Sequence, residues 1–459
     1  MTGLALIAPE LILLATALLA LFADVLWRGS ERAGAWVGAA GALAAAGAAM
    51  MAGTGAPSLF VGQFAVDGAG QVARIVTGLL TAVFLAWVAG AGLKHGTVRD
   101  FTALVLFSAM GAMLMAGARD WVVLLLALEV ATMPAYVLMG YDRTDERSLE
   151  GALKYFLLSM VASVLFLYGL SFVIGMSGAT AMAATKLQPG LIGAVAAAFI
   201  MAGMLAKLSA APFQFWAPDA YAGAPAASVA FVSAVPKVAG LVAFARVVLV
   251  LAPQTAALAP MLIGAAVLSM VLGNLIAYPQ TDVRRLMAYS GVAHAGYLLV
   301  ALAAGGASAM QAALFYAIAY AVPSMGVMLV AAGVGDTLAD LRGLATRRPF
   351  LAWATVLMLV SLIGVPPLAG FTGKLLMFTA AMRAGLVPLA VLAVVMSAVS
   401  AGFYFRIVRA MFFETADADA PALGANPVGT AVIALCCAAV VGIGVVAGPI
   451  IAAITFAAH

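Results

Sequence analysis

From residue 4 to residue 456 the chain is a succession of helix-length apolar runs, with hardly a polar stretch between one run and the next. Fourteen such runs are read: 4–27, 33–53, 69–93, 101–118, 120–141, 149–175, 189–211, 228–252, 257–278, 285–304, 307–335, 350–383, 386–413 and 427–456. A helix rising about 1.5 Å per residue needs about 20 apolar residues to cross the hydrocarbon of a bilayer. Hydrophobic residues make up 66% of the chain and charged ones 9%, whereas soluble domains carry about a quarter charged. The solvent for this surface is lipid. Nothing alternates with the two-residue period of a membrane barrel. The expected fold is an all-α polytopic membrane protein of about fourteen transmembrane helices, without room for a soluble catalytic domain.

Charge in the loops gives an orientation. Arg28, Arg32, Lys94, Arg99, Arg143, Arg147, Arg284, Arg285, Arg342, Arg347, Arg348, Arg406 and Arg409 fall on one side of this layout. The opposite loops are read as holding Arg74, Arg119, Lys186 and Arg383. Basic loops face the cytoplasm, so both termini are expected on the outer, periplasmic side. The net charge of +4 is this loop bias and gives no reason to invoke nucleic acid. The opening MTGLALIAPE lacks a basic region before its apolar run and reads as a retained first helix. Adjacent Cys436 and Cys437 cannot readily meet disulfide geometry within a helix and read as packing residues.

Two segments share a design. In MAGMLAKLSAAPFQFWAPDAYAGAP an apolar helix carrying Lys207 is interrupted by Pro212, Pro218 and Pro225. In MLVSLIGVPPLAGFTGKLLMF, Pro366 and Pro367 break the helix and Lys374 follows. Laying LSAAPFQFW over LIGVPPLAGF matches Pro212 to Pro366. Broken helices at corresponding places in two halves point to a transport site near the membrane midplane, because proline frees a carbonyl that in lipid must find water or a polar partner. The chain divides on this reading into flanking helices 1–100, a first five-helix repeat 101–252, an inverted second repeat 257–413 and a last helix in 427–459.

Ionisable groups inside apolar runs cost about 2.5 to 3.5 kcal/mol each on insertion scales, so they mark function by default. Glu129 lies nine residues into its run, about 13 Å deep; the ordinary alternative is a buried carboxyl bonded to a neighbouring helix. Lys154 follows Glu150 by four residues, and an interfacial ion pair explains it as well as a functional role does. Lys207 and Lys237 are too deep to snorkel, and Lys237 has no acid in its own helix. Lys374 repeats the relation of a lysine to a helix break. His294, in MAYSGVAHAGYLLV, either bridges the halves or is bonded to a helix backbone. Residues 68–73 and 442–447 fit a dinucleotide-binding glycine pattern, but neither follows a strand, and both read as chance matches. Nothing in the chain handles a nicotinamide, a flavin or electrons, and no metal site is read.

LALEVATMPAYVLMGY, EGALKYFLLSMVASVLFLYG, KLSAAPFQFWAPDAYAGAP, AVPKVAG and GVPPLAGFTGK together resemble the antiporter-like membrane subunits of respiratory complex I, over residues 100 to 410. Within that family the chain is most similar to the subunit N branch. It stops after the fourteenth run, short of the lateral helix of subunit L, and has Lys374 where subunit M typically carries a glutamate. The resemblance implies a proton-translocating role. Glu129 would pair with Lys207 of the broken seventh helix, Lys237 would be the connecting lysine, Lys374 the outlet lysine, His294 a connecting residue, and Lys154 the match of a sixth-helix lysine. It also implies subunit M and a small subunit K type as neighbours in a bacterial plasma membrane. NAD, FMN, iron–sulfur clusters and quinone would be held by partner subunits and no cofactor by this chain. A sodium/proton antiporter assembly or a membrane-bound hydrogenase, which share the fold, is the alternative.

Overall fold

A computed structural model describes residues 3–22, 32–53, 62–93, 96–416 and 426–456. Arg28 and Lys94 of the charge layout lie outside them. The described chain is helical, without strands: α1 Ala8–Leu21, α2 Ala33–Ala52, α3 Gly68–Ala91, α4 Val98–Gly117, α5 Trp121–Met139, α6 Glu146–Ser177, α7 Leu191–Lys207, α8 Trp216–Gly223, α9 Ala226–Leu251, α10 Leu258–Ala277, α11 Val283–Ala304, α12 Gly306–Val334, α13 Pro349–Ile363, α14 Ala369–Arg383, α15 Val387–Phe413 and α16 Pro427–Val445. Single turns at Gly3–Leu6, Met182–Ala184 and Leu344–Arg347 and a short piece at Ala447–Ala453 complete it. Among the described residues, eleven helices are long and apolar enough to cross a membrane, and α1, α7 and α13 are shorter apolar helices. The run 427–456 is two helices meeting at Val446, not one.

Side chains sort by depth within the bundle. Helices α9, α11 and α12 are buried on nearly all faces, while α10, α15 and α16 keep wide apolar faces outward. The long helices run alternately between two ends. At one end Gly92, Asp142, Asp145, Pro225, Arg284 and Asp336 surround a cavity of about 260 Å³. At the other, Asp67 caps α3 by accepting from Gly70 N and receives Arg119 and Arg246 at 2.8 and 2.7 Å. Arg74 is not in a loop, as its charge count assumed: it lies in α3, fully buried, and ion-pairs with Glu10 of α1.

The two helix breaks are built alike. Both α7 and α13 end in a Schellman-type closure, with Ala210 N donating to Leu205 O at 2.9 Å and Val365 N to Val360 O at 3.2 Å. The residue that must turn left-handed is Ser209 (φ 60°) in one and Gly364 (φ 93°) in the other. This superposes Pro212 on Pro367, one residue away from the match to Pro366 suggested by sequence. Pro218 and Pro225 do not interrupt α7: Pro218 sits in the first turn of α8, where its missing N–H costs nothing, and Pro225 precedes α9. Lys207 is the last residue of α7 rather than a mid-helix residue.

Candidate functional site

A helix side chain leans toward its own N-terminus. Lys207, ending α7, therefore reaches back from the break toward α5 and α6. Its Nζ lies 3.3 Å from Glu129 Oε1 and donates to Ser159 Oγ at 2.8 Å, with Thr132 Oγ1 and Tyr136 OH each at 3.4 Å. Glu129 Oε1 also accepts from Ser163 of α6. The carboxylate is thus bonded to a neighbouring helix and paired with the lysine, so the two alternatives weighed for it coexist. Its Oε2 is buried without a partner. Neutral hydroxyls surround the pair, so the ammonium keeps donors' partners even when the carboxylate shifts.

Lys207 and Lys237 line one cavity of about 60 Å³, together with Thr132, Tyr155, Trp216 and Val232. A water needs roughly 10–15 Å³ of such space, so this cavity has room for several. Pro236, one residue before Lys237, cannot donate to Val232, whose carbonyl loses its helical partner at the cavity wall. Among the described residues no carboxylate lies within ion-pair distance of Lys237. Its ammonium instead sits 5.4 Å from the Tyr320 ring centroid, and the hydroxyls of Tyr320 and Tyr221 are buried without a hydrogen-bond partner. Lys237 also approaches α11 closely: a Cβ on Gly291 would stand 3.3 Å from its Nζ and 3.1 Å from Tyr320 OH. A second cavity, about 10 Å³, joins Lys237, Gly291, Tyr320 and His294. That is space for about one water.

His294 has tyrosine hydroxyls on both ring nitrogens, Tyr316 at 2.6 Å from Nδ1 and Tyr404 at 3.1 Å from Nε2. It is not bonded to a helix backbone, the bland alternative. Tyr320 and Tyr297 close the other sides of the ring. Lys374, in the second turn of α14, leans back into the break. Its Nζ donates to the last carbonyls of α13, Leu362 at 2.8 Å and Ile363 at 2.9 Å, and to Ser397 Oγ of α15 at 2.7 Å. Tyr297 offers its ring face at 4.9 Å. The two break lysines are therefore not equivalent: Lys207 precedes its break and faces an acid, whereas Lys374 follows its break and faces backbone carbonyls.

Lys154 stands apart. It pairs with Glu150 at 2.7 Å and with Asp219 of α8 at 3.0 Å, and Asp219 also receives Arg285 at 3.2 Å. This half-exposed network pins α6, α8 and α11 together at their ends. Sequence reasoning missed the Glu10–Arg74 pair and the Asp67–Arg119–Arg246 cluster. Opposite charges within two apolar runs were the available signal for the first. It also missed Ser159, Ser163, Ser397 and the tyrosines, whose residue types carry no signal in a sequence. The glycine pattern at 68–73 opens α3, but Gly68 packs against Ala453 and Thr455, leaving no place for a phosphate.

The family model described as NADH:quinone oxidoreductase/Mrp antiporter, transmembrane, matches residues 118–400. An NADH-quinone oxidoreductase subunit N from Desulfovibrio desulfuricans is 36% identical, over 95% of this chain and 93% of that one. A chain of respiratory complex I from Thermus thermophilus superposes with a TM-score of 0.85 at 32% identity, covering 97% of this chain and 99% of that one. A chain of the Mrp complex from a Dietzia species superposes equally well, with a TM-score of 0.84 over 99% and 96% of the two chains, but at 22% identity, which shows the shared fold alone.

Proposed function

The chain belongs to the subunit N family of NADH-quinone oxidoreductases, and from that premise we propose that Glu129, Lys207, Lys237, His294 and Lys374, set inside the bundle, form the wire by which it translocates protons. The observation that carries this reading is the succession of polar contacts and cavities from α5 to α11, through the most buried helices of an otherwise apolar bundle, with Lys374 beyond it at the second helix break. Glu129 is the switch. Moved toward Lys207 it stabilises the ammonium; moved away it leaves the charge to three hydroxyls, and the proton is displaced through the shared cavity toward Lys237. From there the single-water gap at Tyr320 leads to His294 and on to Lys374. The outlet releases its proton outward when Lys207 pairs again. Lys154 holds the helix ends and tunes the frame rather than carrying the proton.

The family supports the same proposal for the rest of the assembly. Counting the α7–α8 and α13–α14 pairs as one crossing each, the described residues are read as fourteen crossings. The domains 101–252 and 257–413 each contain five, which makes the second inverted relative to the first; matching closures at Ser209 and Gly364 support it. The arginine-rich end faces the cytoplasm and both termini face the periplasm of a bacterial inner membrane. Neighbouring membrane subunits of the M and K types flank the chain. NAD, FMN, iron–sulfur clusters and quinone are held by other subunits, whose chemistry drives the switch. The antiporter alternative rests on fold alone, since identity falls from 32% to 22% between the two structural likenesses. The test is proton pumping per NADH oxidised in vesicles bearing Lys207→Ala. The ratio should fall while the complex assembles. A wild-type ratio, or transport that needs sodium and not NADH, overturns the reading.

A further inference from the structure

His294 and Lys374 do not touch. Between them stands the ring of Tyr297, 5.5 Å from the imidazole centroid and 4.9 Å from the ammonium. Its carbon face carries no proton, and its hydroxyl is engaged by Asn274 of α10 at 3.3 Å. Tyr316, on the other ring nitrogen of His294, has that nitrogen as its one polar partner among the described residues, so it ends a branch. Each of the two titratable groups, however, has a hydroxyl partner on α15. Tyr404 meets His294, and Ser397 meets Lys374.

We propose that the proton passes between His294 and Lys374 along one face of α15, with Tyr404, Ser400 and Ser397 as its relay. Residues 397, 400 and 404 are spaced three and four apart, which puts their side chains on one helical face. All three are buried, while Val391, Val394, Val395 and Phe405 of the same helix face outward. Seven residues span about 10.5 Å along the axis, too far for Tyr404 to reach Ser397 directly, and Ser400 stands between them. Ser400 Oγ donates to Ser397 O at 2.6 Å, and rotation about its Cβ–Oγ bond turns the same hydroxyl toward a neighbour or a bridging water. Ser290 of α11 holds the Tyr404 hydroxyl from the far side, so the phenol keeps a partner at each stage of the transfer.

The step balances without other reactants. Protonated His294 gives its Nε2 proton to the Tyr404 oxygen, which releases its own. Ser400 and Ser397 each form one O–H bond and break one, and neutral Lys374 takes the last proton. One positive charge moves from imidazole to amine, and every hydroxyl ends as it began. The two end junctions, His294 to Tyr404 and Ser397 to Lys374, are direct hydrogen bonds, and bridging water at Ser400 completes the two between them, so the relay resets without moving a helix.

The inference rests on the proposed proton path, and its test separates the two. In the intact complex, the double variant Tyr404→Phe, Ser400→Ala keeps ring and backbone and removes two hydroxyls. Its protons pumped per NADH should fall to the value of a Lys374→Ala complex, while Ser400→Thr, which restores a hydroxyl, should keep the wild-type ratio. Tyr316→Phe should fall less than the double variant. A double variant pumping at the wild-type ratio beside a defective Lys374→Ala overturns the relay and leaves the path standing. A wild-type ratio in Lys374→Ala overturns both. Should the double variant assemble poorly, Ser400→Ala against Ser400→Thr, per assembled complex, decides: equal ratios refute the relay.

Discussion

Replacing Glu129 by glutamine removes one charge at nearly constant volume, and its consequence can be worked from the pair geometry. At the 3.3 Å separation from Lys207, two unit charges at an effective dielectric of about 20 are coupled by about 5 kcal/mol. Moving one proton against about 150 mV costs about 3.5 kcal/mol. The swing available when Glu129 leaves Lys207 therefore exceeds the work of one step. Glutamine keeps the hydrogen bond to Ser163 and loses the swing, so pumping through this chain should vanish at any membrane potential. Aspartate draws the carboxylate back by about 1.5 Å and cuts the coupling to about 3.5 kcal/mol, equal to the load at about 150 mV. Glu129→Asp should therefore pump when a potassium diffusion potential clamps vesicles near zero and stall as the clamp approaches that value. The assay is dye-reported proton uptake with simultaneous NADH oxidation, normalised to assembled complex. Glu129→Gln pumping at the wild-type ratio, or Glu129→Asp showing no steeper dependence on potential than wild type, refutes the electrostatic switch.

The buried Glu10–Arg74 pair should be needed for stability and not for transport: Glu10→Gln or Arg74→Met alone should cost about 3 to 5 kcal/mol, and the apolar double replacement Glu10→Met, Arg74→Leu should recover most of it, read as thermal unfolding of the purified complex. Gly291→Ala places a methyl 3.3 Å from Lys237 Nζ and 3.1 Å from Tyr320 OH. It should close the single-water gap and lower protons per NADH with assembly intact, and Gly291 variants pumping normally would show that the gap is not on the path. Lys154→Met removes two half-exposed ion pairs and should leave the pumping ratio unchanged, a result that a proton-carrying role for Lys154 would not give.

Lipid made much of this architecture legible. A chain that must satisfy its backbone internally shows each crossing as an apolar run, and prolines in a run announce the breaks. The register of the breaks was not legible to the residue, because the left-handed closure falls on a serine in one half and a glycine in the other, and serine carries no such signal. Arg74 was counted with the loop charges although it falls inside the run 69–93, and Asp67 caps that run as the start of α3. Charged members of the candidate site stood out because lipid makes them rare. Their uncharged partners did not. A serine or tyrosine in an apolar run is ordinary, and only the packing of α5 against α6, or of α11 against α15, distinguishes those that face an ammonium or an imidazole.

The two break lysines differ in what holds their charge, and on the proposed path this difference assigns their roles. Lys207 is held by a carboxylate on a side chain with three rotatable bonds, backed by hydroxyls on two other helices. That partner can move, so its contribution can be switched on and off by several kcal/mol. Lys374 is held by the terminal carbonyls of α13 and by Ser397. Those carbonyls are the negative end of a helix dipole fixed in the backbone, and they cannot leave without unwinding α13. Fixed partial charges suit a site that must accept and release a proton on the same terms in every cycle. A movable full charge suits the site where outside work enters. Exchanging the arrangements tests the assignment: a carboxylate introduced beside Lys374 as Ser397→Asp should trap the ammonium by an interaction of about 4 kcal/mol at about 4 Å. Proton release should then slow while NADH oxidation in uncoupled vesicles is maintained. Unaltered pumping by Ser397→Asp would mean that Lys374 is not the outlet, and that the switch and the exit are not divided between the halves as their geometry suggests.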